Sequence, residues 1–187
     1  SEPLVLATNA SAPKVIVPER IEYPQLPETT EPVDTRDEDA DADSAAETKP
    51  VGDLPTLVAQ LKGSDPGSRE LECLATGIYF ESKSEPLAGQ LAVGQVIANR
   101  AASGRFPSTY CGVLFQRGQF SFIRGRSLPA VPRASKQWQT AVAIAKIVDQ
   151  DLKDSAAENA LFFHAKRVSP GWRLKRVASI GNHIFYR

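Results

Sequence analysis

The sequence predicts an α+β domain in which helices come first and a small antiparallel sheet comes last, preceded by a disordered acidic tail. Apolar residues recur at helical spacing between about residues 69 and 152. Short runs rich in β-branched and aromatic residues follow from residue 159. With 187 residues, 42% of them hydrophobic, the chain is long and apolar enough to fill one core.

The chain joins an acidic tail to a basic domain. Residues 1–50 hold 12 acids and 4 bases, whereas residues 51–187 hold 10 acids and 18 bases. Proline and acids dominate the tail, so it buries too little apolar surface to offset its ordering entropy. We therefore predict a disordered tail and linker over residues 1–66 and a folded domain over residues 67–187. We interpret the tail as a solvated tether; the alternative is an arm that lies on the basic domain or contacts a regulatory partner.

The first two helices are predicted on either side of a proline. The first runs over about 69–82 and stops before Pro86, which pushes Glu85 out of the α region. Pro86 then opens a second helix that continues to about Ser103. This second helix has little polar face, so we expect it to be central, with Gly89 and Gly94 allowing neighbours to approach closely.

The remaining elements follow from capping residues, an apolar stripe and a turn signal. Ser108 or Thr109 is expected to cap a short helical turn over residues 111–115. An amphipathic stripe predicts a third main helix between residues 135 and 152. The runs ALFFHA, RVASI and HIFYR are predicted to be strands, and Gly181-Asn182 between the last two is a hairpin signal.

Glu81 is the candidate catalytic residue. Leu74, Ile78 and Glu81 follow a spacing of four and then three, so they share one face of the first helix. Burial on that face would raise the pKa of the carboxyl and keep it able to donate a proton near neutral pH. The alternative is a structural glutamate that caps the next turn or pairs with Lys83 or an arginine.

Several other functions are not supported by the sequence. His164 and His183 are widely spaced and have no cysteine or carboxylate pattern around them, so we expect no zinc site and no cofactor. This weighs against an amidase or metallopeptidase. No recognition helix, RNA-binding string or phosphate loop is visible, so nucleic acid is not an expected partner. No apolar run approaches the length of a membrane span.

Two features bear on the compartment. The chain contains no methionine and no signal peptide. We therefore expect that upstream residues were removed, either as a cleaved signal or anchor of an exported protein or by trimming. Cys73 and Cys111 fit one disulfide in an oxidising compartment, and two buried reduced thiols are the alternative.

Five strings in order resemble the SleB-type spore cortex-lytic family of cell-wall hydrolases, over about residues 69–187. They are ECLATGIYFESKSEPLAGQLAVGQVIANR, FPSTYCGVLFQ, GQFSF, NALFFHA and RVASIGNHIFYR. The resemblance implies a lysozyme-like fold, related to the lytic transglycosylases, with a small sheet across the cleft and one catalytic glutamate at a helix end. Glu81 stands at the matching position. Cys73 and Cys111 also stand where relatives have cysteines, which favours a bond between them.

Two departures from the family pattern are visible. Residues 81–85 read ESKSE where family members usually have Glu-Ala-Arg-Gly-Glu, and we expect this change to shift the cleft edge. Many Gram-negative relatives carry cysteines around the QFSF string, where this chain has Gly118 and Arg124. One family disulfide is therefore expected to be missing.

The resemblance implies cleavage of peptidoglycan between N-acetylmuramic acid and N-acetylglucosamine, in the cell envelope or periplasm of a bacterium. Glu85 is the only close candidate for a second carboxylate. We therefore favour a lytic transglycosylase in which Glu81 acts first as acid and then as base, giving a 1,6-anhydro product. The alternatives are a hydrolytic muramidase that uses the same glutamate and a non-catalytic peptidoglycan-binding module.

Candidate substrate contacts come first from two segments. Gln119 and Ser121 fall on one face of a predicted strand, QFSF, and could therefore offer hydrogen bonds to sugars. The alternative, equally favoured by the sequence, is an ordinary edge strand without a role in binding. Phe163, His164 and Trp172 cluster near a Pro-Gly turn, and aromatic faces suit the apolar faces of sugars. Core packing is the default interpretation for Phe163, and it is also considered for Trp172.

Glu85 is also a candidate substrate-binding residue. We expect it first to cap the helix that begins at Pro86, and second to support the cleft.

Overall fold

The computed structural model describes residues 48–187. The predictions made for the acidic tail up to residue 47, its disorder and its contacts, lie outside the described residues. No helix within residues 48–187 combines the length and the apolar character needed to span a bilayer.

Helices come first and an antiparallel sheet comes last, as predicted. The helices of the described part are α1 (Leu54–Leu61), α2 (Arg69–Ser82), α3 (Leu87–Ala102), α4 (Tyr110–Leu114) and α5 (Lys136–Asp149). The strands are β1 (Phe162–Ala165), β2 (Arg176–Ile180) and β3 (His183–Tyr186).

Local capping fixes the helix starts. The Thr109 hydroxyl accepts a hydrogen bond from the Gly112 N–H at 2.9 Å, which resolves the choice between Ser108 and Thr109. The Ser135 hydroxyl accepts one from the Trp138 N–H at 3.1 Å. Caps of this kind contribute about 1 kcal/mol each.

One packed helix lies upstream of the domain boundary predicted at residue 67. Helix α1 begins after Asp53, whose carboxylate caps it, and buries Leu57 and Val58 beside α5. The Trp138 indole N–H also donates to the Ser64 carbonyl at 2.8 Å. The packed domain therefore includes α1 as well, because the apolar residues of α1 recur at helical spacing and pack against α5.

Helix α3 occupies the centre, as predicted. It packs against α2, α4 and α5 and also contacts β1 and β2. Gly94 allows the close approach of α2, since a Cβ there would lie 2.9 Å from Ile78 Cδ1 and 3.1 Å from Val148 Cγ2. Gly94 therefore helps to set the distance between the central helix and its neighbours.

The sheet has the order β1-β3-β2, with both pairs antiparallel. Gly181 and Asn182 form the predicted turn between β2 and β3, where Ile180 pairs with His183. Gly181 has a φ of +53°, a backbone conformation that glycine adopts without strain. Ala165 at the end of β1 also pairs with His183, so the central strand aligns both neighbours.

The strand predicted over residues 119–122 is wrong. This segment forms turns, in which the Gln119 N–H donates to the Gln116 carbonyl and the Ile123 N–H donates to the Phe120 carbonyl. The predicted alternation of exposed and buried side chains is nevertheless present. Local hydrogen bonds satisfy backbone groups that a strand would have to pair with another strand.

Cys73 and Cys111 form a disulfide, with their Cα atoms 5.1 Å apart. The bond joins the buried face of α2 to the short helix α4, 38 residues further along the chain. It therefore constrains the unfolded chain across the whole of α3.

Replacing both cysteines by alanine is expected to lower the free energy of unfolding by about 2 to 4 kcal/mol, because the loop between them regains its conformational entropy. Urea unfolding followed by circular dichroism measures the change. Adding a thiol reductant to the wild type should reproduce the loss and should leave the double variant unchanged. Equal stability of the oxidised wild type and the variant would contradict a stabilising bond.

Candidate active site

Two adjoining cavities lie beside the C-terminal end of α2. The main cavity, of about 890 Å³, is bounded by the end of α2, Arg100 of α3, the turn at residues 118–120, β1 and the loop at residues 167–174. The second cavity, of about 350 Å³, lies between the residues that link α2 to α3 and the β2–β3 turn. Glu81 lines both cavities.

The last turn of α2 holds Glu81 half-buried at this junction. Leu74 and Ile78, which share its helix face, are fully buried as the spacing predicts. Burial raises the pKa of the Glu81 carboxyl, and the positive charge of Arg100 acts in the opposite direction. The pKa of Glu81 is raised overall, which favours the protonated carboxylic acid at the cleft.

The structure does not support the alternative role of Glu81 in an ion pair. Within residues 48–187 the ion pairs are those of Glu72 with Arg69 and Arg133. The ammonium of Lys83, the neighbour considered as a partner, lies 4.7 Å from the centre of the Tyr79 ring. Glu81 therefore faces the two cavities without a charged partner in direct contact.

Arg100 is a site residue that the sequence analysis missed. Its side chain is only 5% exposed, and its Nε donates to the Leu161 carbonyl at 2.7 Å. The guanidinium also lies between aromatic rings, those of Phe106, Phe120 and Phe162. Burial lowers the pKa of Arg100 to about 10, and Glu81 opposes that shift. Arg100 consequently remains positively charged near neutral pH.

A sequence signal for Arg100 exists. It follows Val96 by four residues and Ile97 by three, so it shares the face of α3 that those buried residues occupy. A charged residue on an apolar helix face indicates a buried charge in the same way as Glu81 does on α2.

Gln119 reaches the main cavity, whereas Ser121 does not. The Gln119 Oε1 accepts a hydrogen bond from Arg100 Nη1 at 3.3 Å. This contact orients the amide and leaves its NH₂ group as the available donor. Ser121 is exposed but does not line either cavity, so the structure separates these two predicted contacts.

The predicted aromatic residues form one wall of the main cavity. Trp172 is 42% exposed, and its ring lies edge-on to that of His164 at 5.4 Å. His164 stacks on Tyr186, and its Nε2 lies 2.9 Å from the Tyr186 hydroxyl. Phe163 is half-buried and also packs against Phe185 of the core. The wall thus presents Trp172 and His164 to solvent and anchors Phe163 in the sheet.

Glu85 does not cap α3, contrary to the first role expected for it. Its carboxylate accepts hydrogen bonds from the Asn182 backbone N–H at 2.8 Å and from Asn182 Nδ2 at 3.1 Å. The N-cap of α3 is Pro86, which makes no side-chain cap. Glu85 therefore ties the α2–α3 junction to the hairpin turn through these two hydrogen bonds.

His183 lines both cavities beside Glu81. It is 7% exposed, and its Nδ1 has no hydrogen-bond partner within residues 48–187. Burial lowers the pKa of His183, with Glu85 acting in the opposite direction. The imidazole is therefore held neutral at the junction of the cavities. In the same residues no cluster of three histidine, cysteine or acidic side chains has the arrangement to hold a metal ion.

The family comparison matches residues 84–186, more than half of the chain, to a family described as cell wall hydrolase. This chain belongs to the cell wall hydrolase family. Its resemblance to the SleB-type proteins, predicted from the five strings, is confirmed. The matched segment begins three residues after Glu81, so it contains Glu85, Arg100 and the sheet but not the proposed proton donor.

Curated relatives carry the description spore cortex-lytic enzyme. The chain is 29% identical over 119 residues to the enzyme of Bacillus cereus, an alignment that covers 62% of this chain and 43% of that protein. It is 28% identical over 120 residues to the enzyme of Bacillus subtilis, covering 63% of this chain and 37% of that protein. The chain thus spans about two fifths of the length of the curated relatives it matches.

Solved structures confirm the fold. The catalytic domain of the Bacillus cereus SleB protein superposes with a TM-score of 0.52 at 29% identity, covering 63% of this chain and 89% of that one. The catalytic domain of the germination-specific lytic transglycosylase SleB from Bacillus anthracis gives 0.51 at 28% identity, covering 64% and 96%. The fold of this chain therefore matches that of the SleB catalytic domain.

The Gly181→Ala substitution is expected to destabilise the protein. The added methyl group would overlap Glu85 Oε2 and break the hydrogen bonds that the Glu85 carboxylate accepts from Asn182. Gly104→Ala is the matched control: Gly104 also has a positive φ, +71°, but its added methyl group meets nothing within 4 Å. Urea unfolding should show an additional loss of about 1 to 3 kcal/mol for Gly181→Ala. Equal losses of unfolding free energy in Gly181→Ala and Gly104→Ala would show that backbone strain alone is involved.

The Arg100→Gln substitution is expected to raise the pKa of Glu81 further, because within residues 48–187 the charge of Arg100 is the effect that opposes burial. The protonated form then persists to higher pH. Carbon-detected NMR titration of the glutamate carboxyl groups, with Glu81→Gln used to assign the signal, measures the shift without any substrate. Arg100→Lys keeps the charge and should restore most of the wild-type value; the same pKa in all three proteins would contradict the coupling.

Proposed function

We propose that this protein cleaves peptidoglycan glycan strands between N-acetylmuramic acid and N-acetylglucosamine, as a lytic transglycosylase with Glu81 as its acid and base. One observation carries the proposal. Glu81 is a half-buried carboxyl with a raised pKa, and it faces two adjoining cavities without an ion-pair partner among the described residues. That is the environment a carboxylic acid needs to protonate a leaving oxygen near neutral pH.

The reaction balances with a single carboxyl group. Glu81 donates its proton to the bridging oxygen as the bond from that oxygen to C1 of N-acetylmuramic acid breaks, and C1 gains oxocarbenium character. The C6 hydroxyl of the same sugar then forms a bond to C1 while its proton passes to the Glu81 carboxylate. The products are a shortened strand and a 1,6-anhydro end, and Glu81 is again protonated.

The absence of an available second carboxylate supports this route over hydrolysis. Within the described residues that line the two cavities, the acids are Glu81 and Glu85. Glu85 accepts two hydrogen bonds from Asn182, so its oxygens are directed at the hairpin turn. A hydrolase would need such a group to activate water or to act as nucleophile.

Neighbouring side chains fit supporting roles. The charge of Arg100 stabilises the Glu81 carboxylate that exists between the two proton transfers. The Gln119 amide, held at its oxygen by Arg100, offers its NH₂ group to a sugar hydroxyl or acetamido oxygen. Trp172 and His164 offer aromatic surface to the apolar face of a sugar ring.

We infer the compartment and the partner from the same function. Peptidoglycan lies outside the cytoplasm, and the disulfide between Cys73 and Cys111 fits an oxidising compartment. The relatives described as spore cortex-lytic enzymes agree with a substrate in the cell envelope.

A hydrolytic muramidase is the second candidate. Glu85 lines the second cavity together with Glu81, so a rearrangement of the hairpin turn would free a carboxylate close to the reaction. In that case Glu81 would keep its role as acid, and water would replace the C6 hydroxyl as the attacking group.

The Glu81→Gln variant is expected to release product from purified peptidoglycan about 10²- to 10⁴-fold more slowly than the wild type, because glutamine cannot donate the proton. Mass spectrometry of the soluble products measures both rate and chemistry. Anhydro-muropeptides from the wild type support the transglycosylase, whereas products one water heavier, with reducing ends, indicate the muramidase.

Glu158→Gln is the matched control, since it removes an exposed carboxylate that lines neither cavity. It should retain wild-type activity. If wild type and Glu81→Gln both bound peptidoglycan and neither released product, the catalytic proposal would fail and a binding module would replace it.

A further inference from the structure

Cationic side chains line both cavities beside Glu81. Arg167 and Arg173 line the main cavity, and Lys166 and Arg167 line the second. All three are exposed. Within residues 48–187 the ion pairs both involve Glu72, so no described acid forms an ion pair with these three side chains. The cleft around the proposed proton donor therefore has a local excess of positive charge.

Arg167 occupies a defined place in this cleft. It lies in a tight turn that follows β1, closed by a hydrogen bond of 2.9 Å from the Val168 N–H to the Ala165 carbonyl. The Lys166 N–H donates to the Asn182 carbonyl at 2.7 Å and continues the pairing of β1 with the hairpin by one step. The backbone on both sides of Arg167 is thus anchored to the sheet.

Few residues are common to both cavities, and Arg167 is the cation among them. The others are Glu81, Ala165 and His183. A sugar whose glycosidic bond meets Glu81 would consequently lie beside Arg167, with the two cavities receiving the strand on either side. Arg167 is therefore the cationic side chain best placed to bind a negatively charged substituent on that sugar.

We propose that Arg167, assisted by Lys166 and Arg173, binds a carboxylate carried by the muramyl residue at the cleavage position, so that this cleft selects glycan strands with free carboxylates. The inference deepens the proposed function and rests on it for the identity of the glycan. N-acetylmuramic acid differs from N-acetylglucosamine by a lactyl group, which ends in a carboxylate or continues into a peptide with carboxylates of its own. A guanidinium pairs with such a group through two parallel hydrogen bonds.

Aromatic and cationic groups would then divide recognition between them. Trp172 and His164 contact any sugar of suitable shape, including one without a lactyl group. Arg167 adds the preference for a carboxylate, because a neutral substituent would leave its charge without a partner in the occupied cleft. The specificity is therefore expected in binding as well as in turnover.

The test compares binding of soluble glycan strands before and after their carboxylates are converted to methylamides. Full-length Glu81→Gln protein is used to prevent cleavage, alone or combined with Arg167→Gln, and fluorescence anisotropy of labelled strands gives the dissociation constant. Methylamidation should weaken binding to Glu81→Gln by about 3- to 10-fold, the range expected of a partly exposed charge-assisted pair. The double variant should already show most of that loss on native strands, and methylamidation should weaken its binding much less than it weakens binding by Glu81→Gln.

Two arms distinguish the source of the carboxylate. If methylamidation of peptide-free strands lowers their affinity, the carboxylate belongs to the lactyl group. If methylamidation lowers the affinity of peptide-bearing strands alone, the carboxylate belongs to the peptide. Arg176→Gln is the matched control in the same Glu81→Gln background, since Arg176 is an exposed arginine of β2 that lines neither cavity. Circular dichroism melting confirms that each variant is folded.

Equal affinity for native and methylamidated strands would overturn the inference, as would equal losses for Arg167→Gln and Arg176→Gln. Failure of the proposed function is a separate result, because it is read from product release by protein with Glu81 intact. A protein that releases nothing but binds native strands more tightly through Arg167 would retain carboxylate recognition without catalysis.

Discussion

The structure depends on the burial of α3 from two sides. One side joins the helical core, through residues such as Leu91 and Ile97. The other side, with Val93 and Val96, forms a smaller core with Phe185 of the sheet. A helix with almost no polar face is stable only where partners cover it all round, and each large buried side chain contributes about 1.5 to 3 kcal/mol. The helical body and the sheet are thus held around one element, and the cleft forms where they meet.

Two carboxyl groups at that meeting point have different environments. Burial disfavours the charged form of Glu81 and raises its pKa, against the opposing charge of Arg100. Glu85, four residues later, accepts hydrogen bonds from Asn182 and holds the hairpin turn. A single turn of chain thereby supplies the proposed proton donor and a structural anchor. Their environments, rather than their residue type, separate the two roles.

Local patterns were reliable where neighbours in sequence decide the outcome. The bounds of α2 and the turn at Gly181 follow from side chains within a few residues, and Thr109, one of the two predicted candidates, caps α4. Errors arose where a distant partner decides. Helix α1 was left out of the domain because its partner face on α5 is remote in sequence, and residues 119–122 were assigned to a strand although local turns satisfy their backbone.

The sequence by itself determined the succession of helices and then a sheet, the family, and the placement of Glu81 on an apolar helix face, because periodicity and short motifs encode them directly. Only the tertiary structure decided which side chains surround that carboxyl. The contact of Arg100 with Gln119, the bond of Glu85 to Asn182 and the place of Arg167 at the junction of the cavities join segments far apart in the chain. Such contacts depend on how helices and sheet pack together, which no local pattern specifies.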